Sequence, residues 1–186
     1  MSRMPLTTVD QLSEPIREFM ARRGELKVFR LLSHAPAVFV GWTQMVDELL
    51  DSPTFTLRMR ELIVLRVAHL QDAPYELSQH MDLARPAGLT ERQIEAILDA
   101  GDNVDYEEVG FSRTERAVLE AVTELCTTQH LGEDHFAAIQ AALGDEAVTE
   151  LLMIVSCYYG LALVLNAVEL DIDITSRLQA RTGEHP

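Results

Sequence analysis

Residues 57–88 read LRMRELIVLRVAHLQDAPYELSQHMDLARPAG, and this stretch decides the fold. Its first half is apolar on nearly every side of a helix, which marks a buried helix over 57–71. Asp72 followed by Pro74 reads as the start of a second helix over 73–86, because proline is tolerated in a first turn where an N–H has no helical partner. With only Gln71-Asp72-Ala73 between them, the two helices must double back on each other.

On a helical wheel of the second helix, Ser78, Gln79, Asp82 and Arg85 share one arc, the natural solvent face. Glu76 and His80 lie one turn apart on the other side, with Leu83, Ala84 and Ala87. On the first helix, Arg58, Glu61, Arg66 and His69 gather on one arc. At 1.5 Å rise per residue, Glu61 lies roughly 16 Å from the turn and His80 roughly 12 Å, so they can face each other across the pair. Glu61, Glu76 and His80 are thereby expected within reach of one pocket. Two readings stay open at this level: a proton-transfer site, or a buried imidazole–carboxylate pair that only satisfies itself. Crowded carboxylates raise one another's pKa and an imidazolium lowers it, so such a cluster can tune protonation near neutrality.

Working outward, the same helical spacing predicts helices at about 8–23, 25–34, 37–51, 91–100, 113–129, 133–142 and 146–170. No stretch alternates as a strand would. Thr90-x-x-Gln93 and Ser112-x-x-Glu115 are capping boxes, and Gly24, Gly88, Gly101 and Gly144 stand where helices should stop. The expected class is an all-α bundle. The expected layout is an N-terminal helical extension over 1–30, the main helical domain over 31–175 and a tail over 176–186. Gly101 to Gly110 is acidic and reads as a linker. Arg60 to Leu98 and Glu115 to Val155 form a weak internal echo in their order of helices.

Apolar residues make up 47% of the 186 and charged residues 24%, enough for a core and typical of a globular chain. A net charge of −15 argues against nucleic acid and against anionic membranes, both of which need clustered Lys and Arg. No secretory signal is visible at Met1 to Asp10, and a cytoplasmic location is expected. Leu151 to Val168 carries no formal charge but has acidic flanks and no basic anchors, so it reads as a core or interface helix. Cys126 and Cys157 form no C-x-x-C or zinc spacing and read as packing residues.

The runs Arg60-Glu61-Leu62-Ile63-Val64-Leu65-Arg66-Val67-Ala68, Tyr75-Glu76-Leu77-Ser78-Gln79-His80 and Ala84-Arg85-Pro86-Ala87-Gly88-Leu89-Thr90 resemble the signature of the carboxymuconolactone decarboxylase/alkylhydroperoxidase-D-like family. Ser33-His34-Ala35-Pro36, Phe111-Ser112, Tyr158-Tyr159-Gly160 and Asn166-Ala167 extend the likeness to about residues 30–170. The resemblance implies an AhpD-like helical fold and a homo-oligomer, commonly a trimer or hexamer. In the peroxidase branch, a Glu, a C-x-x-C pair and a His form a thiol relay. Here the Glu falls on Glu61 and the His on His80, while the cysteine positions hold Ala73 and Glu76. Without a thiolate there is neither sulfenic acid nor resolving disulfide.

What this leaves is a proton-transfer site of Glu61, Glu76 and His80, and the resemblance to the decarboxylase branch implies a cofactor-free acid–base lyase or isomerase acting on a small carboxylated or lactone substrate. Arg66 or Arg58 could orient a substrate carboxylate. Trp42, Tyr75, Tyr158, Tyr159 and His69 are candidates to line the pocket, and for the aromatics core packing is the competing role. A metal held by Glu76 and His80 with Glu61 or His69 is compatible with the spacing, but no motif demands one. His34, His130, His135 and His185 read as caps or surface residues. The remaining alternatives are a vestigial peroxidase and a non-catalytic oligomeric ligand-binding protein.

Overall fold

The computed structural model describes residues 2–99 and 104–173. Gly101, the 176–186 tail and His185 lie outside the described residues. Every regular element among the described residues is helical, as the sequence periodicity requires.

Two compact units are present, Met1–Ser52 with Leu165–Pro186, and Pro53–Val164. The first begins with a 3-10 turn, Val9–Gln11, followed by α1 (Glu14–Arg23), α2 (Lys27–Leu32) and α3 (Pro36–Asp51). The single helix expected over 8–23 is therefore split. Pro15 cannot continue a helix from upstream, and it starts α1 with Ser13 extended at the N-cap. The core of this unit is aromatic: Phe19 meets Phe29 edge-on at 4.9 Å, and Phe39 stacks on Trp42 at 5.7 Å. Arg23 ties α1 to α3 through Asp47 and Asp51.

The second unit is built around α4 (Leu57–Leu70). It packs against α5 (Pro74–Ala84) and α7 (Arg113–Thr128), with α6 (Glu91–Ile97) beside it. Residues 61–68 are buried without a break. Leu62, Ile63, Leu65 and Val67 are wholly enclosed, each contributing about 1.5–3 kcal/mol of burial free energy. The capping boxes at Thr90/Gln93 and Ser112/Glu115 both form. Asp72 sits in the tight α4–α5 turn at φ 47°, and Ala73 takes the N-cap ahead of Pro74. Ala68 and Ala73 pack together at this turn with Ala162 and Leu77. Farther along the same pair Glu61 touches His80, so α4 and α5 run antiparallel.

The helices expected at 133–142 and 146–170 are both present as the two arms of α8 (Glu133–Val168), and the non-helical backbone of Gly144 separates them. Gly144 adopts φ 79°, which an L side chain would strain. Beyond the kink, Leu151, Ile154, Val155 and Ala162 are buried.

Candidate active site

Glu61 projects from the buried stretch of α4 and is only 3% exposed. Such a carboxylate needs a partner, and α5 supplies it: His80 Nδ1 lies 2.8 Å from Glu61 Oε2. A carboxylate can only accept, so in the neutral ring the proton sits on Nδ1 and Nε2 is the basic nitrogen. Tyr158 of α8 meets the imidazole edge-on, ring centroids 5.2 Å apart. Burial, together with the nearby Glu61 and Glu76 carboxyls, drives the Tyr158 hydroxyl well above its ordinary pKa, so it stays protonated.

Glu76, one turn before His80, is 2% exposed, and neither of its oxygens has a hydrogen-bond partner among the described residues. Burial pushes its carboxyl up to about 8, against the opposing pull of His80. At neutral pH it is therefore mostly an acid carrying its proton. The cluster combines an imidazole oriented by a carboxylate with a neutral carboxylic acid, an arrangement that separates a base from an acid.

The other candidates are placed as follows. Arg66 is buried and donates to Thr123 Oγ1 and to the carbonyls of Ile97 and Asp99, so its guanidinium clamps α4 to the end of α6 and to α7 instead of meeting a substrate. Arg58 is likewise engaged, donating to Glu115, Gln93 and the Gly88 carbonyl. His69 stands in the last turn of α4, roughly 12 Å along the axis from Glu61, with its pKa lowered by burial and by Arg66. Trp42 belongs to the aromatic core of the first unit. Tyr75 is buried and Tyr159 half-buried. No group of three or more His, Cys, Asp and Glu side chains among the described residues is placed to hold a metal ion.

One residue the wheel assigns to solvent is buried. Gln79 is 5% exposed, and both its amide oxygen and its amide nitrogen lack a hydrogen-bond partner among the described residues. Its position at the edge of the polar arc, next to Glu76, is the only sequence signal that could have marked it.

Ala73 is enclosed in the α4–α5 turn and Glu76 is buried, so the two positions that the resemblance matches to the peroxidase thiols hold no sulfur. Burial pushes the Cys126 thiol up to about 11, and Cys157 is also buried.

The fold defines an AhpD-like helical protein, in which Glu61 and His80 pair across α4 and α5 and neither Ala73 nor Glu76 offers a thiol. The solved structures agree on the fold. An uncharacterized peroxidase-related protein from Ralstonia eutropha, with an alkylhydroperoxidase AhpD core, superposes with a TM-score of 0.79 at 20% identity, covering 97% of this chain and 96% of that one. The debrominase Bmp8, as a cysteine-to-alanine variant in complex with 2,3,4-tribromopyrrole, gives 0.74 at 18% identity over 97% and 95%. A protein of unknown function from Agrobacterium tumefaciens gives 0.68 at 16% over 77% and 96%. Residues 36–124 match the carboxymuconolactone decarboxylase family, which bears out the resemblance read from the sequence. No curated protein matches the chain.

Proposed function

We propose that this protein is a cofactor-free acid–base enzyme, a lyase or isomerase acting on a small carboxylated or lactone substrate. The observation that carries the reading is the 2.8 Å Glu61–His80 contact beside a buried carboxyl, Glu76, with no partner of its own among the described residues. Glu61 fixes the imidazole so that Nε2 takes a proton, and neutral Glu76 gives one. For an isomerase, His80 removes a proton from one carbon and Glu76 protonates another. For a decarboxylase, CO2 leaves with its bonding electrons delocalised into the conjugated lactone carbonyl, and the proton of Glu76 replaces it on carbon. The debrominase neighbour was captured with tribromopyrrole, a five-membered ring of the size class proposed here.

The test is incubation of the purified protein with carboxymuconolactone and related unsaturated lactone acids in D2O. Expected is CO2 release or deuterium incorporation at carbon, followed by NMR. Neither event with any member of the series would overturn the reading.

A thiol peroxidase needs the pair that Ala73 and Glu76 replace. The Cys126→Ala/Cys157→Ala variant is therefore expected to match the parent in a hydroperoxide-reduction assay. Substantial parental turnover that disappears in the variant would restore the peroxidase alternative.

We also propose a homo-oligomer larger than a dimer. Beyond its kink, α8 turns Met153, Ser156, Gly160, Leu163 and Val164 outward at helical spacing, with Leu163 57% exposed. An apolar stripe of this kind is characteristic of a face covered by a partner, and copies of the same chain supply one symmetrically. Light scattering at micromolar concentration should give a trimer or hexamer mass, and a monodisperse monomer would refute this.

A further inference from the structure

We infer that Gln79 is the residue that binds the substrate's carboxylate, donating from its side-chain amide alongside the buried carboxyl of Glu76. This inference rests on the acid–base reading above and names the recognition that reading leaves open.

The first support is the condition of Gln79 itself. An amide buried to 5% exposure with both polar atoms unpartnered among the described residues carries a desolvation cost that folding alone does not return. A bound ligand returns it. The second support is position. Gln79 and Glu76 are three residues apart on α5, so their side chains are neighbours, with Cβ atoms roughly 5–6 Å apart. On the wheel Glu76 lies between Gln79 and His80, so the three form one continuous band of the helix. Glu76 is in the same condition as Gln79, with both oxygens unpartnered. An N–H and an O–H side by side match the two oxygens of one carboxylate.

The third support is that the two arginines singled out in the sequence as carboxylate ligands are engaged elsewhere. Arg58 and Arg66 are held by protein acceptors. Neutral donors also suit the chemistry. A guanidinium would stabilise the substrate carboxylate as an ion pair, deepening the ground state that must lose its charge as CO2 departs. An amide and a carboxylic acid hold the group in place with less stabilisation of that charge. They also leave the proton of Glu76 beside the carbon that receives it.

The experiment uses the purified oligomer and two probes: a saturated γ-lactone bearing a ring carboxylate, and its methyl ester. Isothermal titration calorimetry should show the parent binding the acid more tightly than the ester. Gln79→Leu should weaken acid binding by about 10- to 100-fold, the effect of losing a hydrogen bond to a charged group, and leave the ester nearly unchanged. Gln79→Glu should weaken the acid further by placing like charge against it. Gln79→Leu should also melt at or above the parent Tm, because it removes an unpartnered buried amide. A lowered Tm with unchanged acid affinity would make Gln79 a structural residue and overturn the inference. So would a parent that does not bind the acid, or that binds acid and ester equally. The two readings fail separately. Selective, Gln79-dependent acid binding without deuterium exchange from any lactone acid would sink the acid–base chemistry and keep the recognition. Exchange that persists unaltered in Gln79→Leu, with parental affinity, would do the reverse.

Discussion

Glu61→Gln and His80→Asn are each expected to lower turnover of a lactone acid by about 100- to 10,000-fold, the usual worth of a positioned acid–base group, while the assembly and Tm stay close to the parent. The two substitutions remove different things. In Glu61→Gln the new amide oxygen would still accept a hydrogen bond from Nδ1 across the 2.8 Å contact, so the ring keeps its place. That variant loses the negative charge that stabilises the imidazolium formed when Nε2 takes a proton. His80→Asn removes the titrating ring itself. A role in proton transfer thus predicts a loss in kcat with the fold intact. If the pair only satisfies itself, the balance reverses. Breaking a buried hydrogen-bonded pair would then cost about 1–3 kcal/mol of stability, visible as a lowered Tm, and activity would fall only with the folded fraction. Rates and melting curves on the same preparations distinguish the two outcomes.

How far the sequence reaches is clearest on α4 and α5. The unbroken buried stretch 61–68 and the three-residue connection ahead of Pro74 depend only on local chemistry, and counting rise from the turn is enough to set Glu61 opposite His80. Both helices and that contact are present. What the sequence hides depends on neighbours distant along the chain. Arg66 looks on a wheel like a substrate-binding group, but its acceptors are carbonyls at Ile97 and Asp99, and nothing local announces where a chain will bring its next helix end. Gln79 is hidden for a related reason. A wheel puts Gln79 at the edge of the wet arc, but the buried band of α5 reaches it: Tyr75, Glu76, Gln79 and Ala84 are all buried. The split of the N-terminal helix, by contrast, is written locally, since Pro15 states it. The capping boxes need no tertiary knowledge, and both form.

Glu76 gives the second large effect, a stability that falls as the pH rises. Unfolded, its carboxyl titrates at the ordinary value of 4.5. Folded, burial holds it at about 8. Between these values the folded chain keeps a proton that the unfolded chain has released, so raising the pH favours unfolding. The contribution of Glu76 is fully present below about pH 4.5, declines steadily to about pH 8 and is level beyond. The loss across that window is on the order of 5 kcal/mol. A Glu76→Gln variant carries no titrating proton there. Its urea-unfolding midpoint should match the parent near pH 4.5 and exceed it clearly at about pH 8.5, at one fixed protein concentration because assembly also contributes to stability. The same proton governs the chemistry. Parental turnover should drop above about pH 8 as Glu76 ionises, and Glu76→Gln should be inactive at every pH because an amide cannot deliver a proton. Parallel pH–stability curves for parent and variant would mean that Glu76 ionises in the folded protein as easily as in water, and it would then be no proton donor at neutral pH.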